Sequence, residues 1–104
     1  MGQDCTVLLV LKLRPLQIAP NQFVFQQGQM GREMYFVSRG DVEVIGGDGN
    51  IICVLSKGSY FGEYAILSET PIRRTASVRA KTFVDLLSLS KTDFDEVCCC
   101  AFIP

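Results

Sequence analysis

From Leu13 to Ser90 the apolar residues fall in short runs, broken by glycines and small polar turns. That punctuation predicts antiparallel strands closed into a sandwich or barrel, because β-branched and aromatic residues suit a half-buried pleat while Gly, Asn and Asp reverse the chain. The runs place strands at residues 13–18, 23–26, 33–38, 41–45, 51–55, 76–80 and 83–90. Gly46-Gly47-Asp48-Gly49-Asn50 reads as a hairpin tip whose residues tolerate positive φ. Gly28, Gly31, Gly40 and Gly58 mark further turns.

Helices are expected only at the ends and in one internal cassette. Ser90 is a candidate N-cap with Asp93 three residues on, so residues 90–97 read as the start of a helix that then meets Cys98-Cys99-Cys100 and Pro104. The internal break is Phe61-Gly62-Glu63-Tyr64-Ala65-Ile66-Leu67, followed by Pro71-Ile72-Arg73-Arg74-Thr75-Ala76-Ser77-Val78.

This break reads as an anion pocket. A glycine opening a short helix leaves unpaired N–H groups facing outward, and an arginine followed by small or hydroxylic residues can close on the same point. Glu63 would repel a phosphate, yet it can accept a hydrogen bond from a neighbouring sugar hydroxyl. Together these residues describe a ribose phosphate and not a free anion.

Composition narrows the chemistry. A chain of 104 residues holds one core, with no room for a catalytic partner domain. Ten basic against eleven acidic residues, a formal net charge of −1, give no footprint for non-specific nucleic-acid binding; the basic residues gather at Arg73, Arg74, Arg79 and Lys81. Histidine is missing, which removes the usual general base, the commonest metal ligand and the Ser-His and Cys-His pairs. The chain is therefore read as a non-enzyme with no metal and no cofactor.

The five cysteines, Cys5, Cys53, Cys98, Cys99 and Cys100, lack CxxC spacing, so neither a zinc site nor a disulfide framework is expected. Cys53 is read as a small buried hydrophobe in a strand, in keeping with a reducing cytoplasm. The triple run could be a lipidation site or a frayed end. Val7-Leu8-Leu9-Val10-Leu11 is too short for a membrane span, which needs about 20 residues.

Several blocks, in order, carry a family resemblance: Phe23-Val24-Phe25-Gln26-Gln27-Gly28-Gln29-Met30-Gly31, then Met34-Tyr35-Phe36-Val37-Ser38-Arg39-Gly40, then the cassette through Arg74-Thr75-Ala76-Ser77-Val78-Arg79-Ala80. From about Leu11 to Val97 the chain resembles the cyclic nucleotide-binding domains of cyclic-nucleotide-gated and hyperpolarisation-activated channels, cyclic-nucleotide-dependent kinases and bacterial catabolite activators. The resemblance implies a mainly β jelly-roll barrel with a short phosphate-cassette helix and short terminal helices. It also implies a cAMP or cGMP ligand, with its phosphate on the backbone of Gly62, Glu63, Tyr64 and Ala65 and gripped by Arg74, leaving Arg73 to face solvent.

By the same resemblance Glu63 takes the ribose 2′-hydroxyl. Thr75 lies beside the phosphate and can reach a guanine amino group, which tilts the reading towards cGMP. Ala76 and Ser77 let the strand approach the ligand. Phe61, Val44 and Val54 are candidate walls for the purine, although core packing alone also explains them. The implied setting is the cytoplasmic ligand sensor of a channel, in contact with a membrane only through its parent protein and tetrameric with it. Members carry a further long helix over the base; with only Cys98 to Pro104 after Val97, poor base discrimination and weak switching are expected.

Other classes fit less well. A cupin-like enzyme would want histidines, and a transcription regulator would want a helix-turn-helix. The regulatory domain of a kinase, or a degenerate fold kept as an interaction module, remains an alternative. Glu63 and Arg74 speak against the degenerate form.

Overall fold

The computed structural model describes residues 11–102. Ten strands, β1 (Arg14–Ile18), β2 (Phe23–Phe25), β3 (Met30–Gly31), β4 (Glu33–Arg39), β5 (Val42–Ile45), β6 (Ile51–Leu55), β7 (Tyr60–Phe61), β8 (Ile72–Arg73), β9 (Ser77–Ala80) and β10 (Val84–Ser90), are joined by two helices, α1 (Tyr64–Leu67) and α2 (Lys91–Phe102). All pairings are antiparallel. One sheet runs β1-β10-β4-β7, a second β2-β9-β5-β6, and a two-stranded ribbon joins β3 to β8. The antiparallel, mainly β arrangement is the one expected from the alternation of short strands and glycine turns, and its jelly-roll form is the one the family resemblance implies.

Strand β4 explains how the barrel is filled. Its run Met34-Tyr35-Phe36-Val37 has no polar break because both of its faces are covered: Tyr35 and Val37 point between the two large sheets, and Met34 and Phe36 point under the helices. Between the sheets, Tyr35, Val37, Phe61, Val84 and Leu86 from one side meet Val42, Val78 and Ala80 from the other. On the opposite face Met34, Leu89 and Ile66 form a second cluster, with Phe94 of α2 packed against it. Burying an aliphatic side chain of this size contributes roughly 1.5–3 kcal/mol, so α1 is fixed to the barrel mainly through Ile66, which is 1% exposed.

The turn chemistry also follows the sequence. Gly46 and Asn50 close the hairpin between β5 and β6, where the Asn50 N–H and side-chain amide both donate to Asp48. Ser90 caps α2 by accepting the Asp93 N–H at 3.1 Å, as the spacing of the two residues predicts.

Several expectations are corrected. The two-residue strands β3, β7 and β8 were not foreseen, since a pair of residues carries no periodicity. The backbone of helix α2 runs on through the cysteines to Phe102, so the cysteine run, a candidate lipidation site or frayed end, is helical. Cys53 is exposed, not buried, and so is Val54. Both lie on β6, the edge of its sheet, where four of five residues are open to solvent because no second layer covers that end. The apolar stretch Val7–Val10, Cys5 and the side chains of Cys98, Cys99 and Cys100 lie outside the described residues. Among the described residues no helix is long and apolar enough to cross a membrane, and no cluster of metal-ligating side chains occurs.

Candidate functional site

The cassette after β7 begins with a conformational demand. Gly62 has φ +80°, a region that L side chains rarely adopt, and a Cβ there would approach Arg74 Nη1 to 3.0 Å and the Glu33 carbonyl to 3.2 Å. The reversal at Gly62 launches α1: the Gly62 carbonyl accepts the Ala65 N–H at 3.1 Å, and the Glu63 carbonyl accepts the N–H groups of Ile66 and Leu67, each at 3.1 Å. Glu63 occupies the N-cap position in helical geometry, and its carboxylate makes no capping bond. The carboxylate is therefore not consumed by the helix start.

Arg74 reaches the same place from the position just after β8. Its backbone is held on both sides by the turn at Gly28 and Gln29, with the Arg74 N–H donating to Gln29 O at 2.7 Å and the Arg74 carbonyl accepting the Gly28 N–H at 2.8 Å. This clamp turns the side chain inward. The guanidinium lies 4.0 Å over the Phe25 ring, donates through Nη2 to the Glu33 carbonyl at 2.8 Å, and makes a longer contact of 3.4 Å through Nη1 to the Gly62 carbonyl. Gly31 makes room for it, because a Cβ on Gly31 would clash with Arg74 Cζ and Nε.

Arg74 is the buried charged residue among those described, at 9% exposure, and none of the ion pairs found among the described residues includes it. Burial lowers its pKa from the ordinary arginine value, and the neighbouring Tyr35 and Glu33 pull in the opposite direction. Arginine nevertheless stays protonated at neutral pH. Its charge is met by an aromatic face and carbonyl oxygens, which leave donors of its planar fork to spare. Tyr35 stands behind this group as a neutral phenol: burial first, and the Glu33 carboxylate second, push its pKa up to about 12, and its hydroxyl donates to Glu33 Oε1 at 3.0 Å.

These elements enclose a cavity of about 470 Å³ between the β5/β9 sheet and α1. A volume of this size falls within the usual range for small-molecule sites. Phe61, Gly62, Glu63, Tyr64, Ala65, Arg74, Thr75 and Ala76 all line it, whereas Ser77, expected to face the ligand, does not, and its hydroxyl accepts the Gln27 N–H at 2.8 Å. Phe61 lies at the back, buried and stacked 5.3 Å from Tyr35, while Tyr64 and Thr75 are exposed at the mouth. Val44 lines the cavity as anticipated and Val54 does not. Arg73 is exposed, as expected, and binds the Gly28 carbonyl at 2.9 Å, although part of it borders the cavity rim.

Sequence reasoning missed six contributors. Phe25, Leu67, Ile72 and Val78 supply apolar lining, Ser68 also borders the cavity, and Gly31 supplies the space behind Arg74. Phe25 sits in a quoted motif, but nothing in its local pattern announces a ring beneath an arginine on another strand. Ile72 precedes the arginines in a strand of two residues, too short for its face to be read.

An antiparallel jelly roll with an apolar cavity and a buried arginine at one end defines a small-molecule-binding barrel. Within that class the chain belongs to the cyclic nucleotide-binding domain family, whose pattern matches residues 15–99. It is similar to the human cyclic nucleotide-gated channel alpha-3, with 44% identity over 103 residues covering 90% of this chain and 15% of that protein. A cyclic nucleotide-gated channel of Caenorhabditis elegans is 45% identical over 100 residues, covering 88% of this chain and 14% of that protein. The chain thus spans about one seventh of the length of such relatives. Among solved structures, the C-linker/CNBHD of zELK channels, crystallized in the presence of cAMP, superposes with a TM-score of 0.86 at 30% identity, covering 96% of this chain and 50% of that one. Membership of the family implies a cyclic nucleotide as the ligand.

Proposed function

We propose that the chain binds cAMP or cGMP in this cavity without turning it over, as the cytoplasmic ligand sensor of a cyclic-nucleotide-regulated ion channel. The observation that carries the reading is Arg74: a buried cation with no carboxylate at ion-pair distance among the described residues, opening onto a nucleotide-sized apolar cavity beside α1. A phosphate there meets the guanidinium fork and the backbone of Gly62 to Ala65. Glu63, half-buried on the same wall and free of a capping role, accepts the ribose hydroxyl. Phe61, Val44 and Ile72 form the apolar part in which a purine loses water, and Ala76 is small enough to admit it. Thr75 offers its hydroxyl at the mouth to the amino group of guanine.

The channel setting is supported by the channel relatives, and a tetrameric parent would follow from it. The reading as a non-enzyme is supported by the nature of the lining, which contains no histidine and no paired acid and base. Isothermal titration with cAMP and with cGMP, followed by chromatography of the recovered nucleotide, tests both parts. Binding with intact ligand recovered is expected; no heat from either nucleotide on a folded sample would refute the reading.

A further inference from the structure

Besides the burial of Ile66, the end of α1 remote from Gly62 is met by one polar side chain. The Ile66 carbonyl lies in the last turn of the four-residue helix α1, where carbonyls lack partners within the helix. It accepts a hydrogen bond from Lys91 Nζ at 3.1 Å. Lys91 is the first residue of α2, its side chain is 17% exposed, and Asp95 one turn on holds the ammonium at 3.3 Å. The Lys91 backbone N–H donates to the Arg32 carbonyl at 2.8 Å. The next carbonyl along the chain, that of Glu33, is the one that anchors Arg74 Nη2. Two walls of the cavity, the cassette helix and the arginine anchor, therefore meet at one lysine.

We propose that Lys91 is a positioning residue that couples the cassette to α2, so that a ligand settling on α1 and Arg74 changes the environment of the first turn of α2. The proposal rests on the cyclic-nucleotide reading of the cavity. The packing of Phe94 against the cluster that contains Ile66 would by itself let α1 slide over α2, since apolar packing is non-directional. The Lys91 bond adds direction, tying the end of α1 to a fixed point on α2. A ligand can shift α2 only by binding its two arrangements unequally, and a bond that spans both helices is a route for that difference.

The test uses the whole domain labelled with 15N. In the unaltered protein saturating cAMP should shift the amide signals of Gly62 to Thr75 and also those of Thr92, Asp93 and Phe94. In Lys91→Met the first set should persist and the second should shrink at least about twofold, because the ligand's preference no longer reaches α2; Lys91→Arg should restore it. Without ligand, Lys91→Met should speed hydrogen exchange at the Leu67 and Ser68 amides about tenfold, as loss of one hydrogen bond allows. Should Lys91→Met fail to fold, Lys91→Gln carries the same measurements. An undiminished response of α2 in a variant that still binds, or no response of α2 in the unaltered protein, overturns the coupling alone. Unchanged exchange at Leu67 and Ser68 overturns the clamp whatever the ligand does. Failure of the unaltered domain to bind either nucleotide overturns the reading of the cavity, and the coupling with it.

Discussion

Replacing Arg74 by alanine should damage binding far more than replacing Arg73, although the two are adjacent and chemically identical. The difference lies in their surroundings. Arg73 is exposed and its one hydrogen bond goes to the Gly28 carbonyl on the surface, so its loss removes an interaction of the kind that contributes about 0–1 kcal/mol. Arg74 is buried, stacked on Phe25, and fixed by the Glu33 carbonyl at 2.8 Å. Removing one partner of a desolvated charge pair costs about 2–5 kcal/mol, which at 1.4 kcal/mol per tenfold is roughly a 30-fold to several-thousand-fold rise in Kd.

Titration calorimetry of both variants with cAMP and cGMP gives the comparison, with thermal unfolding as the control. Arg74→Ala also strips the Glu33 carbonyl of its donor, but it relieves the burial of a cation, so its effect on folding should be much smaller than its effect on binding. Arg74→Lys keeps the charge without the planar fork and should fall between the two. Equal losses from Arg73→Ala and Arg74→Ala, or a loss in Arg74→Ala accounted for entirely by unfolding, would refute the assignment.

Gly31→Ala should weaken binding by about tenfold, about 1.4 kcal/mol, with little change in unfolding temperature, because the new Cβ displaces the Arg74 guanidinium and not the backbone; calorimetry on the folded variant decides. Glu63→Gln should narrow the gap between a cyclic nucleotide and its 2′-deoxy analogue, measured by paired titrations, and an unchanged gap would remove Glu63 from the ribose. Thr75→Ala should cost cGMP more than cAMP, by the roughly 0.5–1.5 kcal/mol of one neutral hydrogen bond. Tyr35 is protonated up to about pH 12 in the folded chain but only to its ordinary value of 10.0 when unfolded, so between those values the unfolded state holds fewer protons and stability falls as pH rises. Denaturant melts across that window should show a decline that Tyr35→Phe lacks.

How much of this was legible in the sequence depends on whether the information was local. The hairpin tip at Asp48, the Ser90 cap and the long strands β4 and β10 are written in adjacent residues, and each formed where expected. The proposed site could be picked out in the sequence because Gly62 opens a helix start and Arg74 stands directly before small and hydroxylic residues. Cys53 and Val54 were misread because an apolar run signals a strand without saying whether that strand ends up at an edge. That depends on β5 taking β9 as its other neighbour, a pairing decided by residues some 35 positions away.

The same distinction separates binding from transmission. Apart from Val44, the groups proposed to hold the ligand come from one stretch, 61–76, so its chemistry can be recognised as a motif. The proposed path out of the cavity uses the Glu33 carbonyl, which accepts from Arg74, the Arg32 carbonyl, which accepts the Lys91 N–H, and the Lys91 side chain, which reaches the Ile66 carbonyl. A carbonyl is present at every position, so no pattern of residue types marks the ones that matter. Contacts of this kind leave sequence freer to vary along the route than at the site. Lys91 is the exception, because only a long donor side chain at that position spans the distance to Ile66. Arg32→Ala, which leaves the carbonyl in place, should therefore disturb coupling less than Lys91→Met does, with the α2 amide shifts on ligand addition as the measure; the reverse order would mean that coupling runs through side chains of the β4 turn and not through its backbone.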